Sequence, residues 1–250
     1  MDEALIIMEL DEATTRYDAE FQNINGLTWL PWVGQHFSDR PKDKRLLVVG
    51  ESHYFLGDTP EQRQANRNDY LKDRQSTREV VSEALIKQSW GRIKTLDTIP
   101  KLLFKTTEID HRRLWADAAY YNFVQRPMDI FLKQQPTPDD FVAGWKVFSE
   151  ISKIIKPSHC LFIGVSAANS FNFAMMNLNL SFEAVSCPKK IGTTWARVAK
   201  LHLGDMTSEL IFVRHLGSYF NWSEWHDYLQ SEHVQFMNWL GMESYPIRTA

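Results

Sequence analysis

The stretch Arg45-Leu46-Leu47-Val48-Val49-Gly50 decides the fold. Four aliphatic residues follow the charged segment 40–44 and stop at a glycine, the pattern of a short strand buried on both faces. The pattern recurs at Cys160-Leu161-Phe162-Ile163-Gly164, after Lys156-Pro157, and at Leu210-Ile211-Phe212-Val213, after the polar stretch 205–209. Segments 118–124 and 182–185 carry weaker strand patterns. Helical patterns lie between: Ser76 is placed to cap 77–88, Asp97 to cap the turn through Phe104, and Thr137-Pro138-Asp139-Asp140 opens a helix expected to reach Ile155. Strands alternating with helices predict a three-layer α/β/α domain around a central, mostly parallel sheet. Residues 57–113 are dense in charge and poor in strand pattern, and are expected to form a helical insertion with a solvated face. A C-terminal helix over 222–240 would carry Trp225, Leu229, Phe236, Trp239 and Leu240 near helical spacing, an aromatic stripe suited to a core. No repeat and no Pro-, Gly- or Ser-rich linker divides residues 1–250, so one domain is expected.

Composition narrows the function. The net charge of −3 gives no basic surplus to announce a polyanionic partner, so any nucleic acid must be gripped by a local patch. Two cysteines, Cys160 and Cys187, exclude a disulfide scaffold, a four-thiolate iron–sulfur cluster and a four-cysteine zinc site, and fit a reducing compartment. His111, His159, His202 and His226 are too scattered for a metal site, and neither metal nor cofactor is expected. The acidic start (Asp2, Glu3, Glu9, Asp11, Glu12) is the reverse of a signal peptide. The longest nearly apolar run, 160–168, falls far short of the roughly 20 residues of a membrane span. A cytoplasmic, monomeric protein without a membrane partner is the expectation.

In open α/β sheets ligands bind beyond the carboxyl ends of the strands, so the polar residues there are the candidates for chemistry. Four clusters qualify: Gly50-Glu51-Ser52-His53-Tyr54, Tyr121-Asn122-Phe123-Val124-Gln125-Arg126-Pro127, Gly164-Val165-Ser166-Ala167-Ala168 and Arg214-His215-Leu216-Gly217-Ser218. Together they offer a carboxylate, a carboxamide, a small-residue loop and an imidazole. That set suits hydrolysis of a bond whose leaving group gains negative charge.

In motif order over residues 46–220 the sequence resembles the uracil-DNA glycosylase superfamily. The first motif of that superfamily ends strand one as GQDPYH, GEAPG or a relative, and its late motif ends the last strand as HPS. The counterparts here are GESHY (50–54) and HLGS (215–218). The resemblance implies Glu51 as the catalytic carboxylate and His215 as donor to the departing base. Ser52 stands where one branch has a water-positioning aspartate. Gly50, Tyr54 and Asn122 would line the base, with Asn169 or Asn172 as alternatives to Asn122. Tyr219, Phe220 and Trp222 follow the late motif where the family carries its intercalating loop. Ser166 and Ser218, beside Arg126, Lys189, Lys190 and Arg197, would hold DNA phosphates. The partner would be DNA, duplex or single-stranded. The base would be uracil or a deaminated base, or a bulky modified cytosine such as glucosylated hydroxymethylcytosine in phage DNA. No lysine lies in the four clusters to form a Schiff base, so hydrolysis without lyase chemistry is expected.

Blander and competing readings stand beside this one. GESHY also reads as a strand-to-helix turn, His53 as structural, His215 as a satisfied histidine, Asn122 as a turn former and the 219–222 aromatics as core. Trp29-Leu30-Pro31-Trp32 reads as a seal on the core. Glu51 and His53 also match the GExH pattern of erythromycin-esterase-like hydrolases, although no second Glu and His motif accompanies it. Ser52 in place of the aspartate suits a catalytically inactive, DNA-binding relative.

Overall fold

The computed structural model describes residues 12–91, 93–217, 220–243 and 245–246. Helix α1 (Asp18–Phe21) and strand β1 (Trp32–Val33) lead into β2 (Leu46–Phe55). Helix α2 (Pro60–Lys72), α3 (Ser76–Glu79), a π-helical segment (Val80–Ile86), α4 (Lys94–Phe104) and α5 (His111–Asp117) follow, so the regular structure among the described residues of 57–113 is helical, as expected. Strand β3 (Ala119–Asp129), α6 (Pro138–Ile155), β4 (His159–Ile163) and α7 (Ala168–Asn177) come next. Strand β5 (Ser181–Ser186), the small hairpin β6 (Lys190–Ile191) and β7 (Thr194–Trp195), β8 (Arg197–Leu203), β9 (Met206–Val213), α8 (Trp222–Glu232) and α9 (Val234–Met242) complete the order.

Seven strands form one sheet in the order β1-β3-β2-β4-β9-β8-β5. The four central strands β3, β2, β4 and β9 run parallel, and β1, β8 and β5 add antiparallel edges. Because side chains alternate across a strand, the aliphatic runs supply both faces. Leu47, Val49, Phe123, Cys160, Phe162 and Phe212 point into one core, which α6 and α7 cover. Leu46, Val48, Leu161, Ile163, Ile211 and Val213 point into the other, under α4, α5, α8 and α9. Trp29 and Trp32 are fully buried, the sealing role read from their sequence. Helix α2 buries none of its residues, so the charge of the insertion is indeed a solvated face there. Cys160 is buried, Cys187 is exposed, and both are free thiols. Among the described residues no helix is long and apolar enough to cross a membrane, and no group of metal-ligating side chains assembles.

Thr137 caps α6 through a reciprocal box with Asp140, with Pro138 at the first helical position, as its sequence signals. Helix α4 begins at Lys94, so Asp97 lies in its first turn rather than capping it. Strand β2 runs past Gly50 to Phe55, and β3 reaches Asp129. A bulge after the Ser52↔Val124 pair lets both continue to Phe55↔Asp129. The expected single helix at the C-terminus is two, broken at His233. That ring leaves the helix axis to meet Glu209 Oε1 at 2.9 Å and the Tyr228 hydroxyl at 3.1 Å.

Candidate active site

The chain passes from β2 to β3 on one side and then returns to β4 on the other. That reversal opens a crevice beyond the carboxyl ends of β2 and β4, the position where open α/β sheets bind ligands. The β2–β4 ladder ends at Val49↔Phe162, so the two strands part at Gly50 and Ile163. Glu51 enters this gap half-buried. Gly164, at φ +146°, turns the chain away from β4, and a Cβ there would lie 3.6 Å from Glu51 Oε1. A cavity of about 10 Å³ lies between Glu51, Gly164, Phe123 and Phe162, the scale of a single water position.

Burial raises the Glu51 carboxyl above the ordinary carboxylate range, and His215 pulls it back toward ionisation. The structure places Glu51 within electrostatic reach of His215, 164 positions on in sequence: Glu51 lies in β2 just past the point where it parts from β4, and His215 lies two residues after β9. His215 is exposed, and its Nδ1 accepts the Gly217 backbone N–H at 3.2 Å. That bond assigns the ring proton to Nε2, which has no partner among the described residues. Glu51 and His215 thus form an acceptor and a donor at one edge of the sheet.

Asn122 sits beside Gly50 in register. A Cβ on residue 50 would fall 2.1 Å from Asn122 Oδ1, so glycine is what lets the carboxamide lie across β2. The Tyr120 hydroxyl donates to that Oδ1 at 3.2 Å, in a buried pair. That leaves the amide N–H groups and the second lone pair of Oδ1 for whatever recognition Asn122 performs. Tyr120 was missed in the sequence; its only signal is the period-two spacing that puts it on the same face of β3 as Asn122. No hydrogen bond among the described residues joins Asn122 to Glu51 or His215.

The two alternatives to Asn122 are committed elsewhere: Asn169 Oδ1 accepts from Arg197, and Asn172 Oδ1 accepts from the Val185 N–H. Ser52 Oγ is buried without a hydrogen-bond partner among the described residues. Tyr54 lies beyond the bulge, opposite Met128, and packs partly on the Val49 core. His53 is structural. It is 4% exposed, 4.6 Å edge-on from Trp29, and 2.8 Å from the Thr77 hydroxyl, and burial alone lowers its pKa to about 4.

Several expected phosphate ligands have other partners. Arg126 donates Nε and Nη2 to the Asp140 carboxylate, each at 2.7 Å, because Asp140 also closes the α6 capping box. Arg197 Nη1 donates to the Val165 carbonyl at 2.8 Å and to Asn169, pinning the loop that carries Gly164 and Ser166. Phe220, expected in an intercalating loop, is half-buried: it packs on the core and stacks with Trp225 at 6.1 Å between ring centres. Ser218 and Tyr219 lie outside the described residues. Lys189 and Lys190 remain exposed at the β6–β7 hairpin. The exposed apolar side chains at the strand ends are Leu56, Ile130, Phe131 and Leu132, at the tip of the β2–β3 ribbon. Compared with known protein families and with curated proteins, the sequence matches none.

Proposed function

We propose that the chain is a monofunctional DNA glycosylase that hydrolyses the N-glycosidic bond of a base rotated out of the helix. The observation that carries this reading is the half-buried Glu51 within electrostatic reach of His215, whose Nε2 has no partner among the described residues. Breaking the glycosidic bond builds positive charge on the sugar and negative charge on the leaving base. Glu51 stabilises the first and accepts a proton from the attacking water; His215 donates to the second. Preorganised groups of this kind contribute about 3–4 kcal/mol each to the barrier. The cavity beside Glu51 is of water size, so the base lies against the mouth of the crevice, within reach of the Asn122 edge.

In this reading the phosphate contacts fall to Ser166, Lys189 and Lys190 rather than to the tied arginines. The wedge role passes from Phe220 to Phe131 and Leu132, which reach solvent at the same edge of the sheet. Ser52 in place of an aspartate and Tyr54 drawn against the core favour a modified cytosine over plain uracil. The esterase alternative loses support, because His53 is buried against Thr77 and Trp29 instead of pairing with Glu51. The inactive-relative alternative keeps one observation, the partnerless hydroxyl of Ser52.

The test is a panel of DNAs carrying uracil, hypoxanthine, hydroxymethylcytosine or glucosylated hydroxymethylcytosine, scored for alkali-labile abasic sites. Sites with at least one base are expected. DNA retained but never cleaved would sink the enzyme reading in favour of the inactive relative.

Two further results follow. Glu51 works as a carboxylate whose pKa burial has raised, so single-turnover excision should increase with pH through an apparent pKa above the ordinary carboxylate value. A rate limb at the ordinary value, or one that survives Glu51→Gln, would remove Glu51 from that role. Tyr120 acts through Asn122 as a positioning residue. Tyr120→Phe leaves a buried acceptor unpaired, costing about 1–3 kcal/mol in a denaturant titration. It should also compress the ratio of excision rates between bases, because the carboxamide is free to rotate. Stability loss with an unchanged ratio would make Tyr120 purely structural.

A further inference from the structure

A larger cavity lies away from this edge. It measures about 760 Å³ and opens at the opposite end of the sheet, where β4 and β9 begin. Its volume falls in the range of small-molecule sites, about 300–1,000 Å³.

One wall comes from α9. Gln235, Asn238, Trp239 and Met242 all line the cavity, and their spacing of three, one and three puts them on one face of that helix. Trp239 is 7% exposed, and its indole Nε1–H has no hydrogen-bond partner among the described residues. Met242 is exposed at the rim, a polarisable, adaptable side chain beside an aromatic one. Gln235 and Asn238 supply carboxamides, which pair with the edge of a heteroaromatic ring.

The cations come from other segments. Lys42 and Lys44 precede β2, and Lys156 ends α6. None of the three makes an ion pair among the described residues. The remaining lining lysine, Lys200, is paired with Glu183 at 3.1 Å. Of the carboxylates in the lining, Glu209 is engaged by His233 at 2.9 Å and stands 3.6 Å from His159 Nε2. Asp43 and Asp205 are the other two, acceptors suited to sugar hydroxyl groups.

The floor is fixed. His159 lies 2.9 Å from the Ser158 hydroxyl through Nδ1, and its ring stacks on Phe236 at 5.0 Å. A flat aromatic and carboxamide wall, together with three unpaired lysines over a rigid floor, matches a ligand with a heteroaromatic ring at one end and phosphate at the other.

We propose that this cavity is a second ligand site that takes a free nucleoside phosphate, its base on the α9 face and its phosphates on Lys42, Lys44 and Lys156. The site stands apart from Glu51 and His215 and does not depend on the glycosylase reading.

The test is isothermal titration of the full chain with ADP, GDP, CDP and UDP. Adenosine, inorganic pyrophosphate and a short unmodified single-stranded oligonucleotide are titrated alongside. At least one nucleoside diphosphate is expected to bind saturably and more tightly than either adenosine or pyrophosphate. The double charge reversal Lys42→Glu/Lys156→Glu should weaken it by about tenfold or more, with the thermal midpoint of the protein held. Trp239→Ala, which removes the ring from the α9 wall, should weaken it as well. No saturable binding at millimolar nucleotide overturns the proposal, as does binding that ignores the charge reversal. Pyrophosphate bound as tightly as every diphosphate would reduce the site to an anion patch. An oligonucleotide bound more tightly, and weakened by the same reversal, would make it a track for a DNA strand.

Discussion

Glu51→Gln is expected to lower base excision by about a hundred- to a thousandfold and, at neutral pH, to make the protein more stable. The two effects share one cause. Burial in the crevice between β2 and β4 raises the Glu51 pKa, so the folded chain holds that proton to higher pH than the unfolded chain does. The protonated form is the one the fold favours, and its advantage is lost as pH rises through the folded pKa. At neutral pH the carboxylate therefore opposes folding, and glutamine removes that opposition, by about 0.5–1 kcal/mol. The gain should shrink as pH falls below the unfolded carboxyl value, where glutamate is also neutral. Thermal midpoints of both proteins across that range, set beside single-turnover rates, check the two halves together. A variant that is less stable at neutral pH would mean Glu51 is a structural partner, whatever its rate. Under the proposed function His215→Ala should lose a comparable factor in rate, since it removes the donor assigned to the leaving base.

Trp145→Ala carries the largest expected loss of stability. Its indole is fully buried at the centre of one core, with the rings of Phe123 at 4.8 Å, Phe171 at 4.9 Å, and Phe148 and Phe162 at 5.3 Å. Its Nε1–H donates to the Ala167 carbonyl at 2.9 Å, which ties α6 to the loop that follows Gly164. Removing a ring of this size from a packed core costs about 3–5 kcal/mol, because the surrounding rings close the space only partly. Phe123, Phe162 and Ala167 also border the small cavity beside Glu51, so excision should fall along with the denaturation midpoint. Trp145→Phe keeps most of the packing and loses the bond to Ala167, a smaller cost of about 1 kcal/mol. A Trp145→Ala loss below that of Trp145→Phe would contradict this account of the core.

Why some of this was legible in the sequence follows from how each element is buried. Strands β2, β4 and β9 announce themselves because both of their faces are covered, which demands runs such as Leu46 to Val49. Strand β8 escaped notice because it lies near the antiparallel edge. There Ala199 and Leu201 are buried while Lys200 and His202 are not, and so short an alternation does not stand out. The second half of β2 reads as polar, yet pairing with β3 across the bulge holds it extended. The break at His233 was equally hidden, since the partner that draws its ring out, Glu209, is 24 residues away.

The site divides the same way. Glu51 and His215 were legible because they follow the aliphatic runs Leu46 to Val49 and Leu210 to Val213, and position alone marks such residues. The fates of Arg126 and Arg197 were not legible. A sequence records their charge but not that Asp140, 14 residues on, pairs with Arg126, nor that Asn169, 28 residues back, holds the Arg197 guanidinium. Tyr120 was hidden because it reads as one more core aromatic, and its hydroxyl matters only once Asn122 is seen beside it.

The central claim is that Glu51 and His215 release a base from DNA by hydrolysis. Its most direct measurement uses wild-type protein, the panel of modified DNAs, and water enriched in the heavy oxygen isotope, with products read by mass spectrometry. The account predicts an intact free base and an abasic sugar carrying the heavy oxygen at the carbon the base has left. Every DNA in the panel recovered with its base still attached would contradict it.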